Sequence, residues 1–369
     1  MRRRLMLAAV VAMVAAACGS SGGGEDLQAA IDACEPGQTD GDLNLYNWSE
    51  YIDPELIPEF ESEYGVDVVE TFYDSNETAL AQLEAGGAPY DVVIPSDYMV
   101  STLIGAGLLA RLNRDAIPNM ANLHPTFASN LPFDPEGEYS APYQWGTTGI
   151  GFSYEFVDPT DGVSWAVIFD PEVNSAYAGK ISILNDEREA LGAALKYLGY
   201  SLNTTSEEEL QAAVDVIKAA KDSIATFDSD AYDDLLVNGD TVVAHGWNGG
   251  FFAAFDEGDL WEEFGYAIPI EGGVAWVDNM VVPTVAEHPC TAHTFIDFIL
   301  DAENGAQLTN FTFYASPNQA AEEFILPEIL EDPAIYPPQE MLTNGSLEFI
   351  ADLGDFAVNY ADAFVEAKS

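Results

Sequence analysis

The residues able to do chemistry cluster where short apolar runs end. Asn-Trp-Ser-Glu-Tyr (47–51) gathers two aromatic rings, a hydroxyl and a carboxylate in Trp48, Ser49, Glu50 and Tyr51. A hydrophobic core has no use for that mixture, because a buried carboxylate without a partner is costly. A cation with an apolar body does: carboxylates take its charge, while aromatic faces take its methylenes and ammonium groups. The mixture recurs at Ser96 and Tyr98, at Trp247, and at Trp276 with Asp278, which are two apart and so share one face of a strand. Facing a core, Asp278 would be an unpaired acid; facing a cleft, it is a ligand group. Asp186 and Glu189 are three apart and share the first turn of a helix. Taken singly, each cluster is equally well read as a turn corner or as acids at a helix start, where the dipole favours them. Their repetition in both halves of the chain points to a cleft between two lobes that grips a cation.

Apolar alternation predicts strands at 43–46, 66–71, 91–94, 180–184, 240–245 and 274–282; between them fall a helical pattern after Pro54 with Leu56, Ile57 and Phe60 on its apolar face, and helices at 76–84, 98–108, 185–198 and 206–221. This alternating order implies parallel sheet with crossover helices. The clusters then fall at the carboxyl ends of strands, where open α/β sheets bind ligands. Residues 142–154 form a glycine-rich extended run expected to cross between lobes, with the glycines permitting a hinge. It is not a nucleotide loop, since the glycine spacing is wrong and no Lys follows. Helices at 291–303 and 350–367 close the chain.

The 369 residues allow two domains with sizeable cores, and 63 Asp and Glu against 11 Lys and Arg leave a net charge of −52. Such a surface repels nucleic acid and favours cations, although a solubilising acidic surface would carry the same charge. Arg2, Arg3 and Arg4 precede an apolar run from 5 to 17, too short to span a bilayer, which takes about 20 residues. Ala15-Ala16-Ala17-Cys18 followed by Gly and Ser resembles a bacterial lipoprotein signal, with Ala15 where that pattern carries Leu. Cys18 is then the lipidated residue, residues 1–18 a signal peptide and 19–41 a tether; ordinary signal cleavage is the alternative. Cys34 and Cys290 remain, and in an oxidising compartment a disulfide is favoured over two free thiols. His288, Cys290 and His293 offer only three ligands at loop-to-helix spacing, so no metal site is expected.

Together, Leu-Tyr-Asn-Trp-Ser-Glu-Tyr (45–51), Ser-Asn-Glu-Thr (75–78), Tyr-Asp-Val-Val-Ile-Pro-Ser (90–96), Asn-Asp-Glu-Arg-Glu (185–189), Gly-Trp-Asn-Gly (246–249) and Glu-Gly-Gly-Val-Ala-Trp-Val-Asp (271–278) resemble the spermidine/putrescine-binding proteins of bacterial ABC importers. The resemblance runs from about residue 42 to the C-terminus. It implies an α/β, two-lobe periplasmic-binding-protein fold (type II-like) with the ligand cleft between lobes. Lobe 1 would be 42–146 plus 278–322, and lobe 2 147–277 plus 323–369. Trp48, Ser49, Glu50, Tyr51, Ser96 and Tyr98 would line the first lobe's side. Asp186, Glu189, Ser229, Trp247 and Trp276 would line the second, with Asp278 at the crossover and Tyr314 beyond it. Asp278 would meet an internal amine, Glu50 one terminal amine, and Asp186 with Glu189 the other. Glu348 stands where the spermidine binder has Gln, after a Trp that is Leu347 here, and would join Asp186 and Glu189 at one end of the cleft. Diamine and triamine both remain open on that departure.

The resemblance implies a monomeric, extracytoplasmic, lipid-anchored polyamine binder that hands its ligand to an ABC permease and needs no cofactor; a binder of another small cationic or amino compound is the alternative. An enzyme is disfavoured, because no Ser/His/Asp arrangement is evident and acids three apart on one helix cannot flank a glycosidic bond from both sides.

Overall fold

The computed structural model describes residues 22–369 apart from 87, 129 and 130. The signal segment and Cys18 lie outside the described residues. The strands are β1 (Leu43–Trp48), β2 (Val68–Tyr73), β3 (Val92–Val93), β4 (Ser140–Ser153), β5 (Ile181–Ile183), β6 (Ile224–Phe227), β7 (Val243–Trp247), β8 (Phe264–Ala267), β9 (Gly273–Val281) and β10 (Leu347–Phe349). They join in the order β2-β1-β3-β9-β4-β7-β5-β6, with β10 added to β9 and β8 to β4. β1 runs parallel to β2 and β3, and β5 parallel to β6 and β7, as crossover helices require. The two parallel units meet through an antiparallel pair, β4 against β9.

That pair positions the site. Its register sets Gln144 opposite Asp278 and Gly146 opposite Trp276, after an irregularity between Pro142 and Gln144. The far end of β4 pairs with β7 and β8, while the far end of β9 pairs with β3. Both strands therefore belong to both halves. One core gathers residues such as Leu45, Phe60, Val92, Met280 and Phe295; another gathers Ile150, Trp165, Ile183, Leu191 and Tyr360. A third, with Trp145, Phe251 and Val277, packs beside the crossing strands.

One expectation needs correction. The segment 19–41 is not a tether throughout: Gly22–Ile31 is helical, and Ile31 is fully buried. Leu27, Ile31 and Cys34 fall on one helical face behind a glycine-rich start that hides the pattern. The segment is docked as well. Asp40 accepts the backbone N–H groups of Cys290 and Thr291 at 3.3 and 3.0 Å, serving the open start of the helix Pro289–Ile299. The glycines of β4 are closely packed. A Cβ on Gly146 would lie 2.5 Å from Asn248 Oδ1 and 2.7 Å from the Trp276 ring, and one on Gly151 would lie 2.4 Å from Phe251. Glycine is there to let side chains approach the strand.

Cys34 and Cys290 are disulfide-bonded, with Cα atoms 5.2 Å apart. His293 accepts from the Asn113 backbone N–H at 3.0 Å and donates through Nδ1 to the Pro289 carbonyl at 2.7 Å. Both of its nitrogens therefore have structural partners. Replacing both cysteines by Ser is expected to lower unfolding free energy by about 2–5 kcal/mol, since the bond ties the first helix to one 256 residues away. Urea denaturation with and without reductant measures this; equal midpoints would contradict it.

Candidate functional site

A cavity of about 780 Å³ opens where the two parallel units face each other. Trp48, Ser49, Glu50, Tyr51, Ser96 and Tyr98 lie on its wall, as do Asp186, Glu189, Ser229, Trp247, Trp276, Asp278 and Tyr314. Trp48 and Trp247, like Tyr51 and Tyr314, are thus neighbours although far apart in sequence, because strand ends from both units converge there.

β1 delivers the first cluster. Trp48 donates its indole N–H to the Ile94 carbonyl at 2.8 Å, which fixes the ring at the carboxyl end of the sheet. The chain then turns through Glu50, whose φ of 55° is left-handed, a conformation non-glycine residues adopt where the surroundings enforce it. Tyr51 is buried and stacks edge-on with Tyr143 and Tyr314 at 5.3 and 5.2 Å between centroids. Tyr314 in turn meets Trp276 at 5.1 Å. Across the opening, Trp48 and Trp247 approach to 6.2 Å. The result is a lining of aromatic rings from both halves, suited to methylenes and to ammonium groups.

The acids are set among these rings. Asp278 on β9 is 5% exposed and bridged to Ser96 by backbone pairing. Ser96 itself is gripped by Asn76, whose amide donates to its Oγ at 3.0 Å and accepts from its N–H at 3.1 Å. Burial raises the Asp278 carboxyl to about 7, tempered by the neighbouring Ser96 and Tyr51 hydroxyls. Glu189 is 4% exposed, and burial followed by the Asp186 charge raises it to about 8. Its Oε1 accepts from Thr148 at 2.9 Å and from the Trp247 indole at 3.3 Å. Asp186 caps the helix Glu187–Tyr197, accepting the N–H groups of Arg188 and Glu189; burial still raises its carboxyl.

Six buried polar atoms on this wall have no partner among the described residues: Asp278 Oδ1, Glu189 Oε2, Asp97 Oδ2, Tyr51 OH, Ser229 Oγ and Trp276 Nε1. Buried polar groups are ordinarily satisfied. None of the residues lining the cavity is Lys or Arg. The nearby Arg188 turns its guanidinium to the Ala351 carbonyl and to Asn203, over the Tyr98 ring at 5.6 Å. What the arrangement can do is hold a multiply charged apolar cation by charge-assisted hydrogen bonds.

Glu348 is the exception and a correction. It lies outside the cavity, paired with the buried Lys196 ammonium and accepting from Ser201 Oγ at 2.6 Å. A lysine this deeply buried needs a counter-ion, and Glu348 supplies it. The residue of that segment that reaches the cavity is Ile350. The sequence also left Asp97, Tyr73 and Asp233 unselected, although all three line the wall. Asp97 is 2% exposed, and burial lifts its carboxyl well above the usual range. Its place between Ser96 and Tyr98 at a strand end was the available signal. Burial raises Asp233 to about 6, with Glu50 adding a small push.

Comparison with known proteins adds independent findings. Residues 55–337 match the family model described as bacterial extracellular solute-binding protein. The chain is 35% identical over 333 residues to the spermidine/putrescine-binding periplasmic protein of Escherichia coli K12, covering 89% of this chain and 91% of that one. A structure assigned to a spermidine/putrescine ABC transporter of Listeria monocytogenes superposes with a TM-score of 0.83 at 36% identity, covering 89% of this chain and 99% of that one. The Tp0655 (TpPotD) lipoprotein of Treponema pallidum gives 0.76 at 31% identity, covering 88% and 99%.

A raised Asp278 carboxyl has a signed effect on the ligand-free protein. The folded state holds the proton more tightly than the unfolded chain, so the group costs nothing below its ordinary range near 3.8. The cost grows as pH rises toward about 7 and is then complete. Asp278→Asn should therefore gain stability over the ligand-free parent between pH 5 and pH 8, by about 2–4 kcal/mol. Urea denaturation at the two pH values checks this, and a pH-independent difference would refute it.

Proposed function

The chain belongs to the bacterial extracellular solute-binding proteins, and among them to the two-lobed spermidine/putrescine binders, and on that premise we propose that it captures a polyamine in the cavity between its lobes. The observation that carries this reading is the set of unpartnered carboxylate oxygens, Asp278 Oδ1, Glu189 Oε2 and Asp97 Oδ2, in an aromatic cavity without a lining Lys or Arg. A polyamine supplies what that wall lacks: several ammonium groups, each with hydrogen-bond donors, joined by methylenes.

In this reading Asp278 takes an internal amine and Glu189 with Asp186 takes one terminal ammonium. Glu50 and Asp233, whose charges interact, take the other. Trp48, Trp247, Trp276, Tyr51 and Tyr314 sandwich the methylenes. Groups from both lobes meet the ligand together, so they act in full only when the lobes close, and the ligand shifts the open–closed equilibrium toward closure. The protein then presents its cargo to the permease of an ABC importer. It acts as a monomer and binds its ligand without transforming it. Lipid attached at Cys18 holds it to the membrane; the Ala-Ala-Ala-Cys (15–18) signal and the likeness to a lipoprotein support this. Cys18→Ser should release the full-length protein from the membrane fraction, and retention there would refute the anchor.

Calorimetric titration with putrescine, spermidine and lysine tests the binding. Polyamines should bind well below millimolar and lysine should not. Asp278→Asn should weaken polyamine binding about 30-fold or more, the equivalent of losing about 2–5 kcal/mol from a desolvated charge pair. Failure of every polyamine to bind at millimolar concentration, or lysine binding as tightly, would overturn the reading.

A further inference from the structure

The segment that was expected to bring a third carboxylate to one end of the cleft brings an aliphatic side chain instead. β10 runs parallel to β9, with Leu347 beside Gly273, Glu348 beside Val274 and Phe349 beside Ala275. Side chains alternate along a strand, so Glu348 and Ile350 share the face that carries Val274, Trp276 and Asp278. Two residues of strand span about 6.6 Å. Glu348 accordingly sits one step short of the cavity, over the helix Glu187–Tyr197, where Lys196 meets it. Ile350, one step further, is 6% exposed and lines the cavity.

Its position is pinned from several sides. Lys196 Nζ bonds both Glu348 and the Gly345 carbonyl, the latter at 3.0 Å. Asn203 donates to the Phe349 carbonyl at 2.8 Å and accepts the Ala351 N–H at 2.8 Å. Arg188, two residues from Asp186, donates to the Ala351 carbonyl at 3.1 Å. The helix that carries Glu189 into the cavity thus also holds both flanks of Ile350. A residue fixed so firmly, beside the acids proposed to take a terminal ammonium, shapes what can lie there.

We propose that Ile350 is the length gauge of this cleft, an apolar wall beyond Asp186 and Glu189 at which a bound polyamine must end in a primary ammonium. Lys196 and Glu348 are positioning residues that hold the wall in place. A primary ammonium can spend its donors on the two carboxylates and turn no other atom toward the wall. A chain that continues past that nitrogen would drive methylenes into Ile350 and press its next ammonium against an apolar side chain, which is costly. This inference rests on the polyamine reading above and adds which members of the class are turned away: tetraamines such as spermine.

The test is calorimetric titration of putrescine, spermidine and spermine into the parent protein, Ile350→Ala, Ile350→Val and Glu348→Gln. The parent should favour spermidine or putrescine over spermine. Ile350→Ala should narrow that gap about 10-fold or more, within the range that one or two methylenes command in a pocket, while changing putrescine binding much less. Ile350→Val keeps the packing should the Ala variant fold poorly, and should narrow the gap in the same sense by a smaller factor. Glu348→Gln should also narrow it; a purely structural role would weaken all three ligands alike. Parent binding of spermine as tight as that of spermidine, or equal losses for all three ligands in the Ile350 variants, would overturn the length gauge and leave polyamine binding standing. Absence of binding by any polyamine to the parent overturns both.

Discussion

Carboxylates buried between two lobes without a cation of the protein's own are the constraint on which the structure depends. Asp278 and Glu189 are almost fully removed from water, and burial, joined at Glu189 by the Asp186 charge, raises both carboxyls toward neutral pH. Burial disfavours the ionised forms, so these carboxyls hold their protons to higher pH than carboxyls in water. A polyamine replaces those protons with ammonium groups fixed along one chain. On the proposed reading, the acids that resist ionisation in the empty cavity become strong contacts once ammonium groups face them, which is the form a reversible trap requires.

The aromatic rings make the arrangement selective. They exclude water from around the acids, which strengthens each charge interaction, and they offer faces instead of hydrogen-bond partners to everything between the ammonium groups. An amino acid such as lysine carries a carboxylate that no Lys or Arg on this wall would receive. The chain's cations are few, 11 in all, and the buried ones nearby are committed elsewhere. Arg188 and Lys196 both hold the 345–351 segment rather than face the cavity. Their absence from the wall is as much a part of recognition as the presence of the acids.

Much of this was legible in the sequence because the same local event recurs. An apolar run ends in an aromatic residue and an acid, and period-two alternation puts Trp276 and Asp278 on one face without any knowledge of the fold. The parallel units followed from strand and helix alternation, and the resemblance of six motifs in order supplied the topology that brings their ends together. What stayed hidden depended on partners distant in sequence. Glu348 looked like a pocket residue until Lys196, 152 positions away, claimed it. Ile350 carries no chemical signal and matters only through the β9–β10 register. The helix Gly22–Ile31 begins with glycines that read as a tether, and the disulfide just after it joins Cys34 to Cys290, 256 positions away. Asp97 stands between two residues that carry the pattern at a strand end, but an acid in the first turn of a helix is ordinary and its burial depends on the fold.

If ligand cations displace protons from the buried carboxyls, those protons appear in solution on binding. Calorimetric titration with putrescine at pH 7, repeated in buffers of widely different ionisation enthalpy, counts those protons directly. The diamine enters already fully charged, so any proton released comes from the protein. Release of roughly one to two protons per ligand is predicted. Binding with no proton release would contradict it, because the carboxyls would then have been ionised before the ligand arrived.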